Sequence, residues 1–272
     1  MRNTTHRIKF LSIFTKITKK GANSIHLPIL QKIKKEVVNK GKLYLIPTPL
    51  GEHATHTIPA YVIEKVHELN FFIAERAKTA RAFIKTTQPK KPFSELSFSE
   101  LNKRTTPEEL RTFLQPCEQG NDMGLLSEAG CPGVADPGAE VVKMAHEKGI
   151  EVIPFVGPSS ILMALMASGM NGQSFCFQGY LSAKKPELGK DLKRLEQLSR
   201  KFRQTQIFIE TPYRNMGMLE VAFKVLSPET QWCVAADISL DSEFILTQKI
   251  KTWQKTKLPN LHKRPTIFLM QC

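Results

Sequence analysis

Between Met123 and Gly169 the chain twice runs an apolar strand into a loop of small and turn-forming residues and then into a helix. The run MGLLSE stops at Ala129-Gly130, and CPGVADPG supplies glycines, prolines and a carboxylate before AEVVKMAHEK starts a helical apolar period. Gly149 stands where a helix C-cap glycine is expected. IEVIPFV is a continuous apolar run, the pattern of a parallel strand buried on both faces. It breaks at Gly157-Pro158-Ser159-Ser160 before the apolar helix ILMALMAS, for which Ser159 or Ser160 is the expected cap. In open α/β sheets ligands settle beyond the carboxyl ends of strands, where loops offer N–H groups and helix N-termini a partial positive charge. The loops SEAGCPGVADPG and VGPSS are therefore expected side by side as a ligand site.

The same alternation precedes this unit. LYLIPTPLG reads as a strand and turn, PAYVIEKVHELN as a helix, FFIAE as a strand and KTARAFIKT as a helix; Gln88 to Thr106 is polar and irregular, and TPEELRTFL is a capped helix. Later come a basic amphipathic helix (LGKDLKRLEQLSRKF), the strand QIFIE, the turn TPYR, a helix to Leu226, the strand WCVAADI, a hairpin-like SEFILTQKIKTW and the strand PTIFLMQC. That half has no clean parallel pattern. Two α/β domains are expected, 42–160 and 161–272, after a basic extension of residues 1–41.

With 41% hydrophobic and 24% charged residues, 272 residues suffice for one large or two modest cores. Five cysteines, odd in number and without a Cys-x-x-Cys pair, argue against a disulfide framework or zinc knuckle and fit a reducing cytoplasm. No apolar run reaches the ~20 residues of a membrane-spanning helix. Of the net charge of +14, Met1 to Lys42 holds eleven Lys/Arg against one Glu, leaving only +4 on Leu43 to Cys272. The extension reads as a floppy basic tail or a misassigned start, with an RNA-binding or membrane-surface tail as the other readings. Dinucleotide, P-loop and serine-hydrolase signatures are all absent from the sequence. His53 and His56 lack an acidic third partner, so surface histidines are expected there rather than a metal site.

LYLIPTPLG, FFIAE, LLSEAGCPGVADPG, VIPFVGPSSILMALMASG and IFIETPYR, in this order and spacing, resemble the tetrapyrrole-methylase superfamily. Within it they are most similar to the branch of the small-subunit rRNA ribose 2′-O-methyltransferases. The resemblance covers Lys42 to Cys272. It implies two α/β domains, S-adenosylmethionine in the cleft between them, a homodimer and an RNA substrate; the methyl transfer itself requires no metal. Carried over by position, it implies cofactor contacts from Leu50, Gly51, Ser127, Glu128, Ala129, Gly130, Pro132, Asp136, Ser159, Ser160, Tyr180 and Leu181. The residue types agree, since a zwitterionic ligand needs close backbone approach and polar groups for its ends. Beside that stands a plain reading: Gly130, Gly133 and Gly138 shape turns, the serines cap helices and Asp136 starts a turn.

Methyl transfer from a sulfonium is an in-line displacement, which asks the protein for alignment and water exclusion. A hydroxyl nucleophile gains from a general base, and Glu75, Glu128, Glu210 and Asp237 stand at strand ends. Glu210 and Arg214 match the branch's Glu-x-Pro-x-Arg pattern and are expected to shape the acceptor side or to form a salt bridge. Glu75, Glu210 and Arg214 are the candidate catalytic set. The chain departs from the branch at Arg76-Ala77-Lys78, and at Ala236 and Leu240, where the branch has basic residues. A small-molecule acceptor such as a tetrapyrrole, or a cofactor-binding module without turnover, are the alternative readings.

Overall fold

The computed structural model describes residues 39–272, so the expectations for the basic extension lie almost wholly outside the described residues. Strands β1 (Leu43–Ile46), β2 (Phe71–Ala74), β3 (Ser97–Glu100), β4 (Met123–Leu126) and β5 (Val152–Pro154) form a parallel sheet in the order β3-β2-β4-β1-β5. The apolar central strands have helices on both faces: α1 (Ala60–Glu68), α2 (Ala77–Thr86), α3 (Pro107–Thr112), α4 (Gln115–Glu118) and α5 (Gly138–Glu147). Alternation divides β2 between two cores. Phe72 packs with Ile46, Val62 and Ile84, while Ile73 packs with Leu43, Met123 and Val141. Thr106 and Glu109 form the capping box expected for α3.

Two expectations need correction. Among the described residues β5 is an edge strand paired only with β1 and merely half-buried, so its apolar run does not mark burial on both faces. The stretch expected to be irregular contains β3, whose residues SFSE are too polar to announce a strand; Phe98 stacks on Phe72 at 5.4 Å and fastens that edge.

The second sheet is mixed. Its strands are β6 (Phe175–Tyr180), β7 (Thr205–Glu210), β8 (Gln231–Ala236), β9 (Phe244–Lys249) and β10 (Thr266–Gln271), in the order β6-β7-β10-β8-β9. Only β6 and β7 are parallel. β6 has no counterpart among the expected strands, and the hairpin lies between β8 and β9 rather than inside SEFILTQKIKTW, whose end forms α9 (Ile250–Trp253). To reach it the chain passes α6 (Ser160–Ser168), α7 (Lys185–Phe202) and α8 (Asn215–Val225). One face of the sheet receives α6, with Ala164 and Leu165 against Ile207, Cys233 and Leu269. The other face buries Phe208, Trp232 and Phe268 against Leu192, Leu219 and Trp253. Each such aromatic contributes about 1.5–3 kcal/mol by leaving water. Among the described residues no helix is long and apolar enough to cross a membrane.

Candidate active site

β1 and β4 are neighbours, so the turns that leave them meet. Thr48 and Gly130 donate backbone N–H bonds to each other's carbonyls, both 3.0 Å. Thr48 Oγ1 donates to Ser127 O at 3.2 Å, and Ser127 Oγ donates to Gly130 O at 2.6 Å. Gly130 has φ +77°, a conformation that side-chain-bearing residues seldom adopt. Farther along the loop, Asp136 Oδ1 accepts from Gly133 N (2.7 Å) and Gly138 N (2.8 Å), which closes the turn into α5. Burial pushes the Asp136 carboxyl up, and those two N–H donors pull it partly back. Cys131 Sγ meets Pro158 O at 3.5 Å, and Ser159 Oγ caps α6 by accepting from Leu162 N. The two loops lie side by side, as expected.

Between these loops and the second sheet opens a cleft of about 360 Å³. The first sheet contributes Leu50, Glu75, residues 127–131, Asp136 and residues 159–161; the second contributes Phe177, Tyr180, Ile209, Glu210, Pro212, Ala235, Asp237, Ile238 and residues 265–267. Nine of the twelve residues carried over for the cofactor line it: Leu50, Ser127, Glu128, Ala129, Gly130, Asp136, Ser159, Ser160 and Tyr180. The other three do not. Gly51 lies against Leu240, whose Cδ1 would stand 2.7 Å from a Cβ at that position. Pro132 is buried within the loop, and Leu181 belongs to the core beneath α7. Sequence reasoning missed Phe177 and residues 265–267, because neither the parallel β6 nor the start of β10 has a motif.

The four strand-end carboxylates of the cleft differ in their partners. Glu210 is buried, and its Oε1 accepts from Thr211 N and from Arg214 Nε (2.9 Å) and Nη2 (2.6 Å). Arg214 itself is not on the cleft wall and acts there only through Glu210. Asp237 takes Arg264 Nε at 2.6 Å and Ser242 Oγ at 2.8 Å. Glu128 takes Thr79 Oγ1 at 2.6 Å. Half-buried Glu75 has no hydrogen-bond or ion-pair partner among the described residues, where no cluster of three or more His, Cys, Asp or Glu is arranged to hold a metal either. Two of the departing positions have structural roles: Ala236 is fully buried, and Leu240 packs against Gly51.

No protein-family model matches the chain. It is 30% identical over 233 residues to the ribosomal RNA small subunit methyltransferase I of Haemophilus influenzae, covering 85% of this chain and 78% of that protein. Its identity to the Thermotoga maritima protein of the same name is 28% over 220 residues, 80% of this chain and 94% of that one. Among solved structures, the methyltransferase CobJ superposes with TM-score 0.57 at 17% identity, covering 85% and 94% of the two chains. Uroporphyrin-III C-methyltransferase from Thermus thermophilus, complexed with S-adenosyl homocysteine, gives 0.51 at 14% identity, covering 85% and 97%. The fold is that of the tetrapyrrole methylases.

Proposed function

The chain belongs to the ribosomal RNA small subunit methyltransferase I family, and on that premise we propose that it transfers a methyl group from S-adenosylmethionine to a ribose 2′-hydroxyl of small-subunit ribosomal RNA. The observation that carries this reading is the pair of loops locked by Thr48 and Gly130 over a cleft of about 360 Å³, within the range of small-molecule sites. The residues fit the cofactor. Gly130 has no side chain to fill the cradle, residues 127–130 offer backbone and hydroxyl groups, Ser159 and Ser160 begin a helix, and Leu50, Ile161 and Ile238 supply apolar walls. S-adenosylmethionine, when bound, supplies an electrophilic methyl group on a sulfonium.

The protein's own share is alignment, water exclusion and proton removal. Glu75, without a partner among the described residues, takes the proton from the acceptor hydroxyl, and Glu210 with Arg214 shapes the acceptor side. Residues 42–160 and 161–272 serve as two domains meeting at this cleft. The protein works in the cytoplasm as a homodimer; five free cysteines and the outward Val156, Leu162 and Met166 (69%, 50% and 83% exposed) support that reading.

The test is incubation of the purified protein with small-subunit rRNA and S-adenosylmethionine bearing a labelled methyl group, followed by digestion to nucleosides. A labelled 2′-O-methyl nucleoside is expected. Cofactor binding without RNA labelling would overturn the RNA acceptor and favour a small molecule or a binding-only module.

A further inference from the structure

Tyr213 is the most exposed of the described Phe, Tyr and Trp residues, at 69%, yet its setting is rigid. It follows Pro212, which lines the cleft, in a turn closed by the Arg214 N to Thr211 O bond (2.9 Å) and by the Arg214–Glu210 pair. Across from it stands exposed His262, its ring centroid 5.7 Å away and its plane at 73°. His262 sits on a loop that is equally well held. Leu261 is fully buried, Lys263 N donates to Pro212 O at 3.0 Å, and Asn215 Nδ2 donates to Leu261 O (3.1 Å) and Arg264 O (2.7 Å). A large aromatic surface is thus fixed in water beside the cleft mouth while covering no core.

The segment that carries His262 is basic. Residues 251–265 include Lys251, Lys255, Lys257, Lys263 and Arg264 and no Asp or Glu. Lys251 pairs with Glu229 and Arg264 with Asp237, while exposed Lys255, Lys257 and Lys263 have no carboxylate within 4.0 Å among the described residues. Aromatic faces interleaved with cations suit a single-stranded nucleic acid, whose bases stack and whose phosphates need neutralising. A ribose hydroxyl reaches the cleft only when its nucleotide is splayed from its neighbours, and a splayed strand has bases free to stack.

Resting on the RNA reading above, we propose that Tyr213 and His262 form a stacking platform that receives an unpaired base next to the acceptor nucleotide. The pair holds the strand at the cleft mouth and leaves the cofactor loops untouched.

The full-length protein, titrated with a short fluorescent single-stranded RNA of mixed sequence and assayed in single turnover on small-subunit rRNA, tests this. Tyr213→Ala should weaken RNA binding about tenfold, the loss of one base–aromatic stack. The salt dependence should keep its slope, because no charge is removed. Affinity for S-adenosylmethionine should not change, and Tyr213→Phe should restore RNA binding, since the ring and not the hydroxyl does the stacking. Unchanged RNA binding by Tyr213→Ala, in a preparation whose parent methylates RNA, would overturn the platform alone. A parent that binds S-adenosylmethionine but neither binds nor methylates RNA would overturn the RNA reading and the platform together.

Discussion

Thr48 and Gly130 form a single antiparallel bridge, and it joins the turns of two strands that run parallel. The direction of pairing reverses where the strands end, so the two loops are held edge to edge over the cleft. Gly130→Ala should test that join. A Cβ there would stand 3.2 Å from Leu50 Cδ2 and 3.4 Å from Pro158 O, and φ +77° adds about 1–2 kcal/mol of strain. A melting point lowered by several degrees and a loss of S-adenosylmethionine affinity in calorimetry are the expected results.

Glu210 and Arg214 are not equivalent. Arg214→Ala leaves a buried carboxylate with one backbone donor and should cost about 2 kcal/mol, less than for a fully buried pair because Arg214 is 37% exposed. Glu210→Gln leaves only a partly solvated guanidinium and should cost less. Denaturant titration measures both. Turnover on rRNA should fall in each, and full turnover would reduce the pair to a clasp on the turn.

Asp136→Asn should keep the loop, because an amide oxygen still accepts from Gly133 and Gly138. Asp136→Ala leaves both N–H groups without that partner and should cost about 1–3 kcal/mol, with weaker cofactor binding. Equal stability of the two variants in chemical denaturation would contradict the closure described.

Burial pushes the Cys117 thiol up to about 12 and the Cys233 thiol up to about 11, from an ordinary value of 9.0. The folded chain therefore holds protons that the unfolded chain releases. The stability contributed is intact below about pH 9 and is lost as pH rises through 11 and 12. A thiol reagent at neutral pH should label exposed Cys272 and spare Cys117 and Cys233 until unfolding. The double variant Cys117→Ala, Cys233→Ala should lose less stability than its parent in denaturant titrations repeated at rising alkaline pH.

Gly51→Ala would drive a Cβ into Leu240 Cδ1 at 2.7 Å, and Leu240→Ala would open that space. Each should destabilise alone, and the double variant should be more stable than the sum of their effects requires. The coupling should be about 0.5–3 kcal/mol in a double-mutant cycle.

Much of the first half was legible because its signals are local. A glycine at positive φ, a capping box and an apolar run before a turn each act within a few residues, and the loops at Ser127 and Ser159 follow from them. What stayed hidden acts at long range. Asp237 as a strand-end carboxylate is visible in sequence, but its engagement by Arg264, far along the chain, is not. β3 and β6 are half-exposed edge strands with no strong period, and β5 has the composition of a central strand while lying at the margin. The cleft wall at residues 265–267 follows from strand order, which no motif encodes.

That strand order also governs how the protein is made. β10 lies between β7 and β8, so the middle of the second sheet is the last of its strands to leave the ribosome. Until residues 266–271 emerge, the β6–β7 pair and the β8–β9 hairpin face each other as two unfinished margins. The strands of the first sheet all precede residue 155. A nascent chain therefore builds the floor of its cleft before the opposite wall exists, and damage to the final strand splits the second sheet down its centre instead of fraying its rim.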